Sequence, residues 1–355
     1  MDPHSAHQCA SIDPYATMFA PEFAVFHLVA LFVLGACFGS FFNVCIYRIP
    51  MGVSLSHPPS HCYGCGRPIR WFDNIPILSW WCLRGRCRAC GIRISPRYFI
   101  IETLTALLWV AVAWRIQYSW ALIPALALTS LLIVATFTDL DHYIIPLRVS
   151  LGGLALGVAL AAIAPLGRAE GNPLRATAWM GLDAALWWAP LVHSLLGAAV
   201  GFASLWTIGR IGSILFRKEA MGMGDVHLFG MFGAFCGVAP LLYILLIACI
   251  VGSILGLAGI AWDKVRRPPP IHEALAPLEA DAQRAERLLE GDAATADERL
   301  ALTRALTHPG PVGPVRHYLP FGPSLAAAAW VVYLYGDAIE RWIEAWMLGS
   351  SGWVV

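Results

Sequence analysis

The stretch Glu219–Phe235, EAMGMGDVHLFGMFGAF, sets one carboxylate, Asp225, just after Gly222 and Gly224 and ahead of an apolar run. An ionisable group at the edge of a membrane segment is costly, and such residues mark function by default. Asp is also a good helix cap, and a helix beginning near Val226 would give Asp225 that plainer role. From this stretch alone both readings stand, so the rest of the chain has to separate them.

The chain has 355 residues, 58% of them hydrophobic and 13% charged, with mean hydropathy +0.64. Soluble domains carry roughly 25% charged residues. The deficit, together with long apolar stretches, predicts an all-α polytopic membrane protein. The opening MDPHSAHQCASIDPY has no basic n-region and does not read as a secretory signal. About eight spans are expected: 23–47, 98–114, 121–138, 149–165, 186–208, 226–238, 241–262 and 318–346. The sixth is the shortest. The Trp-rich stretch AWMGLDAALWWAP, ahead of the fifth, suits an interfacial helix.

Lys and Arg placement sets the orientation. With the loop after the first span inside, only Arg115, Arg168, Arg175 and Arg341 of the 24 basic residues lie outside. Both termini are therefore expected outside, and Asp225 is expected at the cytoplasmic face. Two hydrophilic segments interrupt the spans. The second, 263–317, reads as two short amphipathic helices broken near Gly291 and then a Pro/Gly linker, with no visible chemistry.

The first, 56–97, carries Cys62-x-x-Cys65 and Cys87-x-x-Cys90, each followed by glycine (Gly66, Gly91). Paired C-x-x-C knuckles at this spacing are a zinc signature. Four thiolates closing a tetrahedron around Zn²⁺ make a structural rather than a catalytic site. A cytoplasmic position argues against disulfides, although redox-active or incidental cysteines remain the alternative. Cys82 lies between the knuckles and matches neither.

A second acid is available in TFTDLDHYIIPLRVS, where Asp139 and Asp141 stand at the end of the third span and Pro146 precedes the fourth. At about 100° per residue the two point to different sides of a helix, so only one is expected to meet Asp225. Two carboxylates held close share one proton. The ionised one can draw a proton from water, and the protonated one can hydrogen-bond a carbonyl oxygen as it gains charge, which is peptide hydrolysis by acid–base catalysis. Gly222 and Gly224 would let an extended substrate backbone approach the acid. Gly230, Gly233 and Gly237 read as helix-packing residues.

GACFGSFFNVCIYRIP, the paired cysteine module with NIPILSWWCLRGRCRACGIRIS, TDLDHYIIP and GMGD together resemble the bacterial prepilin peptidase family, the type IV leader peptidases. The resemblance runs from Gly35 to about Gly237. It implies an inner-membrane aspartic protease of the G-x-G-D type. Such an enzyme removes the basic leader of type IV prepilins or type II secretion pseudopilins, after the leader's glycine, at the cytoplasmic face. Asp139 and Asp225 match the family's catalytic aspartates, and Asp141 matches an accompanying acidic position. Members with the cysteine module also methylate the new N-terminal amine with S-adenosylmethionine, so a second activity is implied, with structural zinc and no metal for proteolysis. Glu102, in RYFIIETL, matches a family motif; it reads equally as a pocket residue or a helix-entry acid.

On this reading the chain divides into an external tail (1–22), the first span with its entry motif (23–55) and the four-cysteine zinc-binding module (56–97). The transmembrane protease core (98–262), the helical insertion (263–317) and the last span with an external tail (318–355) follow. Expected partners are the prepilin substrates, the bilayer and pilus or secretion assembly machinery, and no nucleic acid. The family commonly has Lys two positions after the G-x-G-D aspartate, where this chain has His227; the insertion is a further departure. Competing readings are a protease without methyl transfer, a transporter moving protons on the two aspartates, and a zinc-stabilised scaffold without catalysis.

Overall fold

The structure, a computed structural model, describes residues 21–116, 119–163, 188–218, 221–265 and 320–350. The stretch 266–319, which holds nearly all of the expected insertion, the segment 164–187 with most of the Trp-rich stretch, and both terminal tails lie outside the described residues.

Among the described residues, eight helices account for the bundle. They are α1 (Pro21–Arg48), α3 (Pro96–Ile116), α4 (Leu122–His142), α5 (Leu147–Ile163), α6 (Ala189–Phe216), α7 (Met223–Cys236), α8 (Ala239–Val265) and α9 (Gly322–Ser350). Each of these falls on an expected span. The short helix α2 (Leu78–Cys82) belongs to the cysteine-bearing loop. Five (α1, α3, α4, α6 and α8) are long and apolar enough to cross a membrane, and α5 is a shorter apolar helix. The chain is a multi-pass membrane protein.

The sixth expected span is α7, and its length explains its place. At 1.5 Å per residue its 14 residues reach only about 21 Å, short of the ~30 Å hydrocarbon core. It is not a lipid-facing span but the centre of the bundle, and from Leu228 to Cys236 every residue is buried. Its neighbours make room with glycine. A Cβ on Gly153 or Gly157 of α5 would strike Met231 or Phe235. On the α6 side the backbones themselves meet: a Cβ on Gly197 would lie 2.1 Å from the Gly233 carbonyl oxygen, and one on Gly201 2.6 Å from that of Phe229. Small residues let membrane helices approach closely enough for dispersion to hold them, which bears out the packing role expected of Gly233.

A similar seam explains the entry motif GACFGSFFNV. Gly35 and Gly39 of α1 press on Ala106 and Glu102 of α3, and the Asn43 side chain donates to the Tyr98 carbonyl at 3.2 Å. Packing of α9 against α4 includes a bond from Trp330 Nε1–H to the Thr129 hydroxyl at 3.2 Å.

Because successive helices run antiparallel, the end of α4, the starts of α5, α7 and α9, and both junctions of the cysteine module share one end of the bundle. Expected outcome: Gly233→Ala, whose Cβ would lie 1.9 Å from the Gly197 carbonyl oxygen, destabilises the bundle by about 3 kcal/mol or more. Gly256→Ala on α8, which meets open space, leaves the thermal midpoint in detergent unchanged.

Candidate active site

Asp139 lies in the last turn of α4 and is 6% exposed. The helix ends when Tyr143 adopts a left-handed conformation (φ 54°) and its N–H returns to the Asp139 carbonyl at 2.9 Å. The chain then runs through Ile144 and Ile145 to Pro146, whose fixed ring suits a helix start, and α5 begins at Leu147. Asp139 is thus held at a helix end that the bundle covers.

Asp225 lies in the first turn of α7, which begins at Met223, three residues earlier than the sequence suggested. Gly222 is the N-cap, extended at φ −71° and ψ 140°, and no side chain caps the helix. The capping role is therefore corrected: Asp225 stands inside the first turn, half-buried and free of that duty. Asp225 and Asp139 lie to either side of Ile145: a Cβ on Gly224, the residue before Asp225, would stand 3.0 Å from Ile145 Cβ, and a Cβ on Gly322 would stand against both Asp139 and Ile145.

The surrounding residues divide the work differently from the expectation. A Cβ on Gly224 would lie 3.0 Å from Ile145 Cβ, so its bareness serves the approach of α7 to the 143–146 turn. Gly222 is exposed, and the nearest group to its missing Cβ is Asp225 Oδ2 at 3.7 Å. Of the two glycines, Gly222 is the one with open backbone beside the acid. Asp141 points elsewhere and pairs with Arg97, whose guanidinium also stands 5.7 Å from the centre of the Phe137 ring. His227 places Nδ1 2.6 Å from the Met223 carbonyl and its ring edge-on to Phe202.

Sequence reasoning missed Gly322, whose N–H donates to Asp139 Oδ2 at 3.1 Å from the start of α9. No spacing rule links two positions 183 residues apart. Glu102 was read as a pocket residue or a helix-entry acid. The first turn of α3 contains no acid, and Glu102, 8% exposed, instead accepts the Ile77 N–H at 2.7 Å. That bond ties α2 to the membrane helices. Arg48 does the same at the other junction, donating to the Ser54 carbonyl at 2.9 Å and the Pro58 carbonyl at 2.6 Å.

The cysteine module is two copies of one turn. In each, the first Cys N–H bonds across the knuckle at 2.9 Å, to Arg67 or Ile92, and the following glycine N–H returns to it, Gly66 at 2.8 Å and Gly91 at 2.9 Å. Gly66 and Gly91 have φ +67° and +71°, a backbone that favours glycine. An isolated bridge closes each copy, His61 to Pro68 and Arg86 to Arg93. The four sulfurs lie within 4.8 Å of one another, with Cys62 and Cys90 3.7 Å apart. Tetrahedral Zn–S bonds of ~2.3 Å put sulfurs about 3.8 Å apart, so the cluster fits a zinc ion. Cys82 is outside it.

Amide hydrogen bonds from Cys90 and Ala89, with a contact from Cys62, bring the Cys87 thiol down to about 6. The Ile92 amide pulls Cys90 down, but burial and the neighbouring sulfurs outweigh it and leave that thiol at about 11. Near pH 7 the Cys87 sulfur is therefore ready to coordinate, while Cys90 gives up its proton to an incoming metal. Binding must release protons, so affinity rises with pH. Expected outcome: Co²⁺ titration of the metal-free full chain, read by thiolate-to-metal absorbance, gains about tenfold or more in affinity per unit between about pH 6 and 8. A flat profile would contradict four-thiolate ligation.

Comparison with known proteins agrees with this layout. The Bacterial Peptidase A24 N-terminal domain matches residues 33–116, and the Type IV leader peptidase family matches residues 126–257. A prepilin leader peptidase/N-methyltransferase of Myxococcus xanthus is 44% identical over 239 residues, covering 67% of this chain and 64% of the relative. The proteins of that description from Aeromonas hydrophila and Neisseria gonorrhoeae are 32% and 27% identical, and each match covers 89% of this chain and 93% of the relative. No solved structure matches the chain. With its helices in this order and its matches running nearly end to end, the chain belongs to the type IV leader peptidase family.

Proposed function

We propose that this protein cleaves the leader from type IV prepilins or type II secretion pseudopilins and N-methylates the amine so exposed, with Asp139 and Asp225 as the hydrolytic pair. The single observation that carries the catalytic reading is the convergence of these two acids, from separate helices, at one covered end of the bundle. The enzyme sits in the bacterial inner membrane with the cysteine module, the acids and the 263–317 insertion on the cytoplasmic side and both termini outside. Lys and Arg placement supports that orientation. The domain division given above follows from the same topology.

Hydrolysis needs one ionised and one protonated acid, a state that two close carboxylates favour. The ionised acid takes a proton from water as the water oxygen bonds to the scissile carbonyl carbon, and the protonated acid gives its proton to the carbonyl oxygen. As the C–N bond breaks, the proton taken from water passes to the departing amine, and the carbonyl re-forms by returning its proton to the second acid. The pair ends as it began. No metal takes part in this sequence. Open backbone at Gly222 supports an extended substrate lying beside Asp225.

The new amine is the nucleophile of the second reaction. It attacks the methyl carbon of S-adenosylmethionine, the C–S bond breaks to release S-adenosylhomocysteine, and the amine loses a proton. Zinc, held by Cys62, Cys65, Cys87 and Cys90, braces the cytoplasmic module. Four sulfurs leave no open position for chemistry on the metal. Pilus or secretion assembly machinery is a further partner of the same reading.

Expected outcome: purified enzyme in lipid nanodiscs, given a prepilin and labelled methyl donor, yields a cut after the leader's glycine and one added methyl group by mass. Asp139→Asn and Asp225→Asn each lower cleavage by a factor of about 10⁴ or more, the scale on which removal of an essential catalytic group acts, while Asp141→Asn keeps most of it. Cys62→Ser chiefly lowers methylation. Full cleavage by Asp225→Asn would support the scaffold reading instead, and cleavage with no label transfer a peptidase alone.

A further inference from the structure

The acid at the end of α4 is gripped from a part of the chain that carries none of the family-like motifs. The residues PFGPS, 320–324, contain the turn into α9, and Gly322 opens that helix. The first amides of a helix have no partner within it. Here the Gly322 N–H is spent on the Asp139 carboxylate, Oδ2 accepting at 3.1 Å in a buried setting.

The missing side chain matters as much as the amide. A Cβ on Gly322 would stand 2.4 Å from Asp139 Oδ2 and 3.1 Å from its Cγ, closer than real side chains stand. It would also lie 3.1 Å from Cδ1 of Ile145, the residue on which Gly224 packs. The α9 turn, the α4 end and the Asp225-bearing turn of α7 are thus pressed together around Ile145, with glycine at two of the three contacts. Among the described residues, no hydrogen-bond donor reaches the Asp225 carboxylate. The amide from α9 therefore fixes one member of the pair.

We propose that Gly322 is a positioning residue for the hydrolysis: its N–H sets the orientation of the Asp139 carboxylate, and its lack of a side chain keeps that carboxylate facing Asp225. This rests on the reading of Asp139 and Asp225 as the catalytic pair. Gly322 acts through the carboxylate that its N–H holds, so its loss is expected in turnover rather than in substrate binding. A displaced acid misaligns the water, and a misplacement of about 1 Å is enough to slow a positioned reaction ~100-fold.

The test uses the full chain in nanodiscs with a prepilin substrate and compares wild type, Gly322→Ala, Asp139→Asn and, on the same helix, Gly336→Ala, where a Cβ meets open space. The expected result is a kcat about 100-fold down in Gly322→Ala, with KM within about twofold of wild type. Gly336→Ala stays at wild-type level, and Asp139→Asn is inert. Should Gly322→Ala not fold, Ile145→Val with Gly322→Ala removes the Cδ1 methyl while leaving the new Cβ against Asp139, and the same turnover defect is expected. Wild-type turnover in the folded variant, or a defect confined to KM, overturns the proposal. Inert Asp139→Asn beside normal Gly322→Ala overturns the positioning role alone, whereas active Asp139→Asn removes the catalytic pair beneath it.

Discussion

The structure depends on a close approach of backbones around Ile145. Three helix ends that carry or hold the acids can converge there only because Gly224 and Gly322 have no side chains. With a Cβ at either, Ile145 or Asp139 would have to move. The short central helix α7 serves the same geometry. Burial of α7 from Leu228 onward and the glycine seams of α5 and α6 fix where Asp225 sits.

The cysteine module is fastened to this same end of the bundle by polar contacts, two of them through the buried side chains Arg48 and Glu102. Arg48 gathers carbonyls of the descending chain, Glu102 takes the Ile77 amide, and Arg97 beyond the second knuckle pairs with Asp141, two residues from Asp139. Groups removed from water need partners, and Arg48 and Glu102 each have one. A metal that stiffens the two knuckles would therefore stiffen a unit that abuts the acids. That is consistent with a bracing role for zinc and with a family in which the module and the membrane core occur in one chain.

Much of this was legible in the sequence because it rests on local rules. Apolar length located the eight bundle helices among the described residues, and C-x-x-C-G at two places marked the four sulfurs and the positive-φ glycines after them. The two aspartates stood out because acids are rare at span ends. What escaped detection is long-range or depends on close packing. The capping alternative for Asp225 arose because the start of α7 was placed at Val226, and only the backbone shows Gly222 in that position. Gly224 was assigned to the substrate, yet Ile145 occupies its open side. Glu102 and Arg48 were legible as charges near span ends, but their partners are backbone atoms that no residue pattern encodes. Gly322 is the extreme case, a glycine in an ordinary Pro/Gly turn whose importance lies wholly in what it faces.

The central claim is that Asp139 and Asp225 hold one water between them. An experimental density map of the full chain in lipid nanodiscs, at a resolution that shows ordered water, tests this directly. The expected result is a single water within about 3 Å of an oxygen from each carboxylate, with the Gly322 amide on the far side of Asp139. Carboxylates too far apart to share a water, with or without substrate bound, would contradict the account.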